Sequence, residues 1–299
     1  MKVLVPWPHL VEQLRSVPHV EPVLWNINES EAPAAELVIT ERPVNPVHRS
    51  RINRVPGLKH VHLLSLGYEW AVEHLPRHVS LSNSRGAVED ATAEHALLLI
   101  LASLRRFPEV HAQQAAHHWQ RTWSGSLDGA NVVLLGAGGV GTQIAERIKP
   151  FRPARLDIVA RTKRDGVYGI DEVATLLPHA DVVIIALPHT SQTQHLVDAE
   201  FLGRMKDGAL LVNVGRGALV HTEALLAELR SGRLRAALDV TDPEPLPAEH
   251  DLWSAPNCII TPHMAGDTQQ FMTRVSALAV AQATAMAASE PLAHVMLKP

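Results

Sequence analysis

Cysteine is almost absent from this chain. Cys258 stands alone among 299 residues, so no internal disulfide can form, and its place in the apolar run "CIITP" reads as burial of a small hydrophobe. Long hydrophobic runs are missing too, which excludes a bilayer-spanning helix. Met1-Lys2 leads directly into Val3-Leu4-Val5, with none of the regions of a signal peptide, so a cytoplasmic protein without a membrane partner is expected. Neither sign of charge dominates: 27 Lys and Arg face 31 Asp and Glu, a formal net charge of -4. That balance gives no general attraction to nucleic acid, so any basic cluster needs a local explanation. Internal repeats, low-complexity tracts and flexible linkers are not found. Histidine is plentiful at 18 residues, yet His111, His117 and His118 in "HAQQAAHH" have no carboxylate or thiolate at ligand spacing, so they read as a solvated helix face and no metal is expected.

With 46% apolar residues the chain can bury a sizeable core, and its length suits two domains. From about residue 130 to 262, six short apolar runs ("NVVLLG", "LDIVA", "DVVIIAL", "ALLVNV", "RAALDV", "NCIITP") alternate with helix-length segments. This predicts an α/β fold with a parallel sheet covered on both faces. Asp171, Asp198 and Thr222 are predicted N-caps, and Gly208 and Gly232 predicted helix stops. A looser alternation through "KVLVPW", "PVLW", "ELVIT", "HVHLLSLG" and "VSLSN" predicts a second, smaller α/β domain over residues 1–92. "ATAEHALLLILASLRR" reads as the connecting helix, and the Ala-rich tail after 266 as a helix returning to the first domain.

"VVLLGAGGVGTQIAERI" places Gly136, Gly138 and Gly141 as GxGxxG between a strand and a helix. The first glycine permits a tight turn, the second lets backbone approach a pyrophosphate, and the third lets helix and strand pack closely. Gly139 and Val140 lie within the same cofactor-binding turn, and amides at the helix N-terminus face the phosphates. In this fold the end of the next strand meets the adenosine ribose, where an acid some 20 residues on selects NAD. Here "IVARTKRDG" offers Arg161, Thr162, Lys163 and Arg164 instead. Cations there suit a 2′-phosphate, so NADP is the favoured cofactor and NAD the second choice. The plainer reading is that these cations solvate a strand-to-loop transition.

Three further stretches put polar residues at or just beyond predicted strand ends: Arg216 in "NVGRGALV", Glu244 in "LDVTDPEPLP" and His263 in "ITPHMAGDT". Alone, each has a bland reading as a surface ion pair, a solvated loop residue or a core histidine. Three of them downstream of a dinucleotide turn favour convergence on a ligand.

At this point a resemblance becomes specific. "TAEHALLLILASLRR", the glycine turn, "NVGRGALV", "LDVTDPEPLP" and "TPHMAG" occur in order, and the chain resembles the D-isomer-specific 2-hydroxyacid dehydrogenases. The resemblance implies two domains, a Rossmann dinucleotide-binding domain (93–266) inserted in a flavodoxin-like substrate domain (1–92 with 267–299), with the active site in the cleft between them. It implies hydride transfer between NADP(H) and a small 2-oxo or D-2-hydroxy acid. Arg216 would bind the substrate carboxylate and polarise the 2-oxo group, His263 would donate or accept the proton, and Glu244 would hold the imidazole and favour its protonated form. Substrate binding is further implied for Leu66 and Gly67 of "LSLGYEW", with Tyr68 and Trp70 bordering the pocket or filling the domain core. Cofactor contacts are implied for Leu187, Pro188, Val214 and Asp239, the last of these having a structural cap as its equal alternative.

Formate dehydrogenases of the superfamily carry glutamine where Glu244 stands, and phosphite dehydrogenases a lysine where Leu66 lies, so both activities are disfavoured. The corepressors that resemble this family keep the triad while acting as nucleotide-sensing scaffolds, which is the alternative function here. A homodimer is expected from the position of "LRRFPEVHAQQAAHHWQRTW", with Trp119 and Trp123 as anchors.

Overall fold

The computed structural model describes residues 1–298, which divide into two compact units: Met1–Val88 together with the chain from Asp267 onward, and Glu89–Gly266. The first unit opens with β1 (Lys2–Val5), α1 (Pro8–Leu14), β2 (Glu21–Leu24), β3 (Leu37–Thr40), β4 (His60–Leu63), α2 (Glu69–Val72) and β5 (Ser80–Asn83). The second runs through α3 (Glu89–Leu104), α4 (Phe107–Ala115), β6 (Asn131–Leu135), α5 (Gly139–Ile148), β7 (Arg155–Ala160), β8 (Tyr168–Gly169), α6 (Val173–Leu176), β9 (Val182–Ile185), α7 (Ala199–Arg204), β10 (Leu210–Asn213), α8 (Thr222–Arg230), β11 (Arg235–Leu238) and β12 (Cys258–Ile260). The chain then returns to the first unit as α9 (Gln269–Ala287) and β13 (Val295–Leu297).

The second unit is a seven-stranded parallel sheet in the order β12-β11-β10-β9-β6-β7-β8. Its strands are apolar on both faces because helices cover both. Val133, Leu135, Val183, Ile185, Leu211 and Leu238 pack against α6, α7 and α8 through Leu176, Phe201, Leu202, Leu225 and Leu229. Their alternates Val132, Leu134, Val182, Ile184, Leu210 and Val212 pack against α3 and α5 through Ala96, Ile100, Ile144 and Ile148. Strand order reverses between β6 and β9, so the turns after these two strands open a crevice at the carboxyl edge of the sheet.

The first unit has a six-stranded sheet, β13-β5-β4-β3-β1-β2, parallel except for β13. The tail helix packs on it: Val275, Ala279 and Ala283 of α9 join Val3, Val5, Leu10, Leu14, Leu37 and Ile39 in one cluster. Trp70 is buried in the cluster on the opposite face, with Tyr68 packed against it, so Trp70 is a core aromatic.

Local signals are realised unevenly. Asp198 caps α7 by accepting from the Phe201 amide at 2.9 Å. Thr222 does not cap α8. His221 takes that place, its Nδ1 accepting from the Ala224 amide, while the Thr222 hydroxyl donates to the Asp242 carbonyl at 2.7 Å. Asp171 is not a cap either, because Glu172 accepts from the Gly169 amide at 2.8 Å and occupies the role. Gly208 and Gly232 follow α7 and α8 with φ of +79° and +74°. The long helix stops at Leu104: Arg106 turns left-handed and Pro108 opens α4, where proline is tolerated only in the first turn. Strands β8 and β13 were not foreseen, being too short to carry a period.

The register of β4 and β5 sets His60 beside Ser80 and His62 beside Ser82. A hydrogen-bonded chain follows: His60 Nδ1 meets Ser80 Oγ at 2.6 Å, His60 Nε2 meets Ser82 Oγ at 2.8 Å, and His62 Nδ1 meets the same Ser82 Oγ at 2.8 Å. Both rings are buried among apolar neighbours, and burial holds His60 down at about 4 and His62 at about 3. These lowered values mean that the unfolded chain takes up protons first, near its ordinary 6.5. The stabilisation is therefore complete above that pH and is lost as pH falls toward 4, by about 1.4 kcal/mol per pH unit for each ring. Denaturant unfolding at pH 7 and pH 5 should show a larger loss for the wild type than for His62→Gln. Equal losses would remove the ladder as the source.

Candidate active site

At the end of β6 the chain enters the glycine turn with Gly136 at φ +128°, its amide donating to the Val159 carbonyl at 2.8 Å. A Cβ on Gly136 would lie 2.5 Å from the Ala186 carbonyl oxygen, in the turn after β9, so this glycine lets the two turns of the switch point meet. A Cβ on Gly141 would run into the carbonyl of Gly136, which is the close approach of helix and strand expected of the third glycine. Gly139 is packed from the other side, 2.8 Å from Glu89 of α3 by the same construction. Only around Gly138 is space open, with nothing within 4 Å of its Cβ position, and Gly138 is the N-cap of α5 with no side-chain cap of its own. An open backbone at the N-terminus of a ten-residue helix fits a dinucleotide pyrophosphate. Val140, partly buried, packs its side chain on the core of this unit.

Beyond β7 the three cations and one hydroxyl of residues 161–164 separate into two roles. Lys163 is bound to Glu172 at 2.6 Å, which raises the lysine above its ordinary range and lowers the glutamate. Glu172 also accepts from Gly169, and Arg164 and Val167 exchange two backbone bonds of 3.0 and 2.9 Å, so residues 161–169 form a tied hairpin. Lys163 therefore shapes the loop. Arg161, Thr162 and Arg164 are exposed, and among the described residues the two guanidinium groups have no acid partner. Asp157, the acid within β7, is engaged by Arg155 at 3.1 Å.

Arg216 sits in the turn after β10. Asn213, fully buried, braces that turn at both ends: its Oδ1 accepts from the Gly215 amide at 3.0 Å, and its Nδ2 donates to the Arg216 carbonyl at 2.9 Å. Arg216 Nη1 donates to the Gly215 carbonyl at 2.6 Å. A Cβ on Gly217 would strike the Thr241 carbonyl, and one on Gly215 would lie 2.7 Å from the Leu187 carbonyl, so the turns after β9, β10 and β11 touch in series. Leu187 and Val214 pack into the two faces of the core, and the Pro188 carbonyl accepts from Thr193 at 2.8 Å.

Asp239, buried directly after β11, binds the turn after β12. Its carboxylate accepts from the Thr261 hydroxyl at 2.6 Å and from the amides of Met264 and Ala265, each at 3.0 Å. His95 Nε2 lies 3.3 Å away. Burial pushes this carboxyl up, but His95, Thr261 and the two amides together hold it below the usual carboxylate range. The Asp239 carbonyl accepts from the His263 amide at 2.8 Å, and His263 is left-handed, φ +52°. From this turn His263 Nδ1 meets Glu244 Oε1 at 2.8 Å, both side chains partly open to solvent.

The structure thus brings His263 and Glu244 into contact and puts Arg216 in the neighbouring turn of the same carboxyl edge. Leu66 and Gly67 belong to the first unit, in the loop after β4, where Asn83 donates to the Leu66 carbonyl at 2.7 Å and Ser65 to the Gly67 carbonyl at 2.9 Å. Sequence reading missed Asn213, Thr261 and His95. Their one available signal was a polar residue inside an apolar run, which has several commoner explanations. Cys258 lies on β12, and burial pushes its thiol up to about 12.

The sequence profile described as "D-isomer specific 2-hydroxyacid dehydrogenase, NAD binding domain" matches residues 97–265. Glyoxylate reductase of Thermofilum pendens is 32% identical over 276 residues, covering 88% of this chain and 80% of its own. A D-isomer-specific 2-hydroxyacid dehydrogenase family protein from Aeromonas salmonicida superposes with a TM-score of 0.84 at 28% identity, covering 99% of this chain and 98% of that one. The fold is shared with an NADPH-dependent glyoxylate/hydroxypyruvate reductase from Sinorhizobium meliloti, solved with NADP and sulfate, at a TM-score of 0.81, 24% identity and coverage of 99% and 98%. A match over more than half of the residues, joined to a relative of this identity along most of both chains, is decisive: the chain belongs to the D-isomer-specific 2-hydroxyacid dehydrogenases, NAD(P)-linked oxidoreductases of 2-oxo and 2-hydroxy acids.

Proposed function

We propose that this protein reduces a small 2-oxo acid to the D-2-hydroxy acid with NADPH, and runs the reverse oxidation with NADP. The observation that carries this reading is the 2.8 Å contact between His263 Nδ1 and Glu244. With Nδ1 donating to the carboxylate, Nε2 is the ring nitrogen that faces a substrate and carries the transferable proton. When bound, the nicotinamide supplies the hydride that reaches C2 of the 2-oxo acid. His263 gives its Nε2 proton to the oxygen that was the carbonyl, and Glu244 stabilises the imidazolium before the transfer. Arg216 binds the substrate carboxylate and polarises the 2-oxo group. Leu66 and Gly67, in the first unit, are proposed as residues that bind a carboxylate through backbone amides. Their carbonyls are taken by Asn83 and Ser65, while neither amide donates to another group among the described residues.

The preference for NADP rests on Arg161, Thr162 and Arg164 at the end of β7, where position 161 holds arginine in place of an acid that would accept from a 2′-hydroxyl. Glyoxylate and hydroxypyruvate lead the substrates to be tried, because relatives named for them cover most of this chain. A homodimer belongs to the same proposal. Trp119 is 97% exposed and Trp123 92% exposed, and large apolar side chains left open in this way suit an interface.

His263→Ala should lower kcat for glyoxylate or hydroxypyruvate reduction by about 10²- to 10⁴-fold while NADPH still binds. Glu244→Gln should shift the pH profile of reduction toward acid, and an unmoved profile would remove Glu244 from its role. In cofactor titrations, Arg161→Asp should weaken NADPH by about 10- to 100-fold and NADH far less, as expected for charge-assisted bonds to one extra phosphate. Light scattering should find a dimer that the double substitution Trp119→Ser, Trp123→Ser converts to monomer.

A further inference from the structure

The clamp on the His263 turn has a partner on an element that holds none of the residues assigned above. His95 lies in the second turn of α3, 10% exposed, with Nε2 2.9 Å from Thr261 Oγ1 and 3.3 Å from Asp239 Oδ1. The proton positions follow from the acceptors. Asp239 is an ionised, buried acceptor, so the single hydroxyl proton of Thr261 is committed to it at 2.6 Å. The Thr261 oxygen can then only accept from the ring, so Nε2 of His95 carries hydrogen and is shared between hydroxyl and carboxylate. Histidine thereby closes a ring of three side chains drawn from α3, the end of β11 and the end of β12.

What that ring holds is the backbone of the proposed proton donor. Oδ1 of Asp239 receives the Met264 amide and Oδ2 the Ala265 amide, while the Asp239 carbonyl receives the amide of His263 itself. The His263 turn has a backbone conformation that an L residue rarely adopts, φ +52°, and such a turn persists when its surroundings over-determine it. Rotation of the Asp239 carboxylate would release two of the three amides at once. Thr261 and His95 are the side chains that oppose that rotation.

We infer that His95 is a positioning residue for the reaction: through Thr261 and Asp239 it holds the His263 imidazole at Glu244 in the orientation proton transfer needs. This rests on the proposed role of His263 and goes beyond it, since His95 touches neither His263 nor the reacting atoms in the assignment. Leucine at 95 keeps the bulk and loses the donor. Glutamine retains an N–H at nearly the reach of Nε2, and so should rescue.

His95→Leu should reduce kcat for 2-oxo acid reduction about 10- to 100-fold with the KM for NADPH within about twofold of wild type, and His95→Gln should recover most of the loss. Backbone hydrogen exchange of apo wild type, His95→Leu and His95→Gln is measured alongside. Leucine should speed exchange at His263, Met264 and Ala265 by at least about tenfold over the wild type, with the β9 and β10 amides unchanged and glutamine restoring protection. A His95→Leu protein with wild-type exchange at those three amides, or one whose kcat stays within twofold, overturns the inference, as does a glutamine variant no better than leucine. If the wild type reduces no 2-oxo acid, the functional proposal fails by itself and the exchange rates alone decide whether His95 holds the turn.

Discussion

A carboxylate taken out of water must be met by donors, and at the end of β11 that requirement organises much of the site. Asp239 is 1% exposed, and its burial would be costly if its oxygens were not engaged by His95, Thr261 and two amides. Those donors come from a helix, a neighbouring strand and the turn beyond it. Satisfying one charge therefore settles the course of three segments. The left-handed turn that displays His263 follows from this, and so does the meeting of its imidazole with Glu244.

The same logic of forced close approach governs the other end of the carboxyl edge. Gly136 and Gly141 are glycines because strand, helix and the turn after β9 come closer there than a Cβ allows. Gly138 is different. Its Cβ position meets nothing, and the backbone it leaves uncovered is the part of the turn suited to phosphates. Two reasons for glycine thus lie within three residues, one of packing and one consistent with ligand binding. Just beyond, Glu172 ties Lys163 into the hairpin and leaves the arginines facing outward, so the cluster carries less free charge than its composition suggests.

Much of the arrangement was legible in the chain. The apolar runs located eleven of the thirteen strands, because a strand covered on both faces is largely apolar, and the glycine spacing announced the turn that the sheet reversal requires. Arg216, Glu244 and His263 were found because polar residues beyond apolar strand ends stand out. The capping residues were less legible. Thr222 and Asp171 had the right chemistry, but histidine and glutamate one position away held the better geometry. The buried ladder of His60, Ser80, Ser82 and His62 lay inside strands recognised from their apolar members, with nothing to say that its polar members would face each other.

By itself the sequence determined the class of fold, the turn for a dinucleotide, the positive strand end and the three polar residues proposed for chemistry. Each of these is a local matter, written in period, spacing or residue type along one segment. Tertiary structure alone decided which hydrogen bond each polar group makes: that Lys163 serves a hairpin, that Asn213 braces the Arg216 turn, and that His95 reaches Thr261 across 166 positions of chain. Pairings of that kind depend on strand register and helix placement, which arise from the summed packing of the core and leave no pattern in any single stretch of residues.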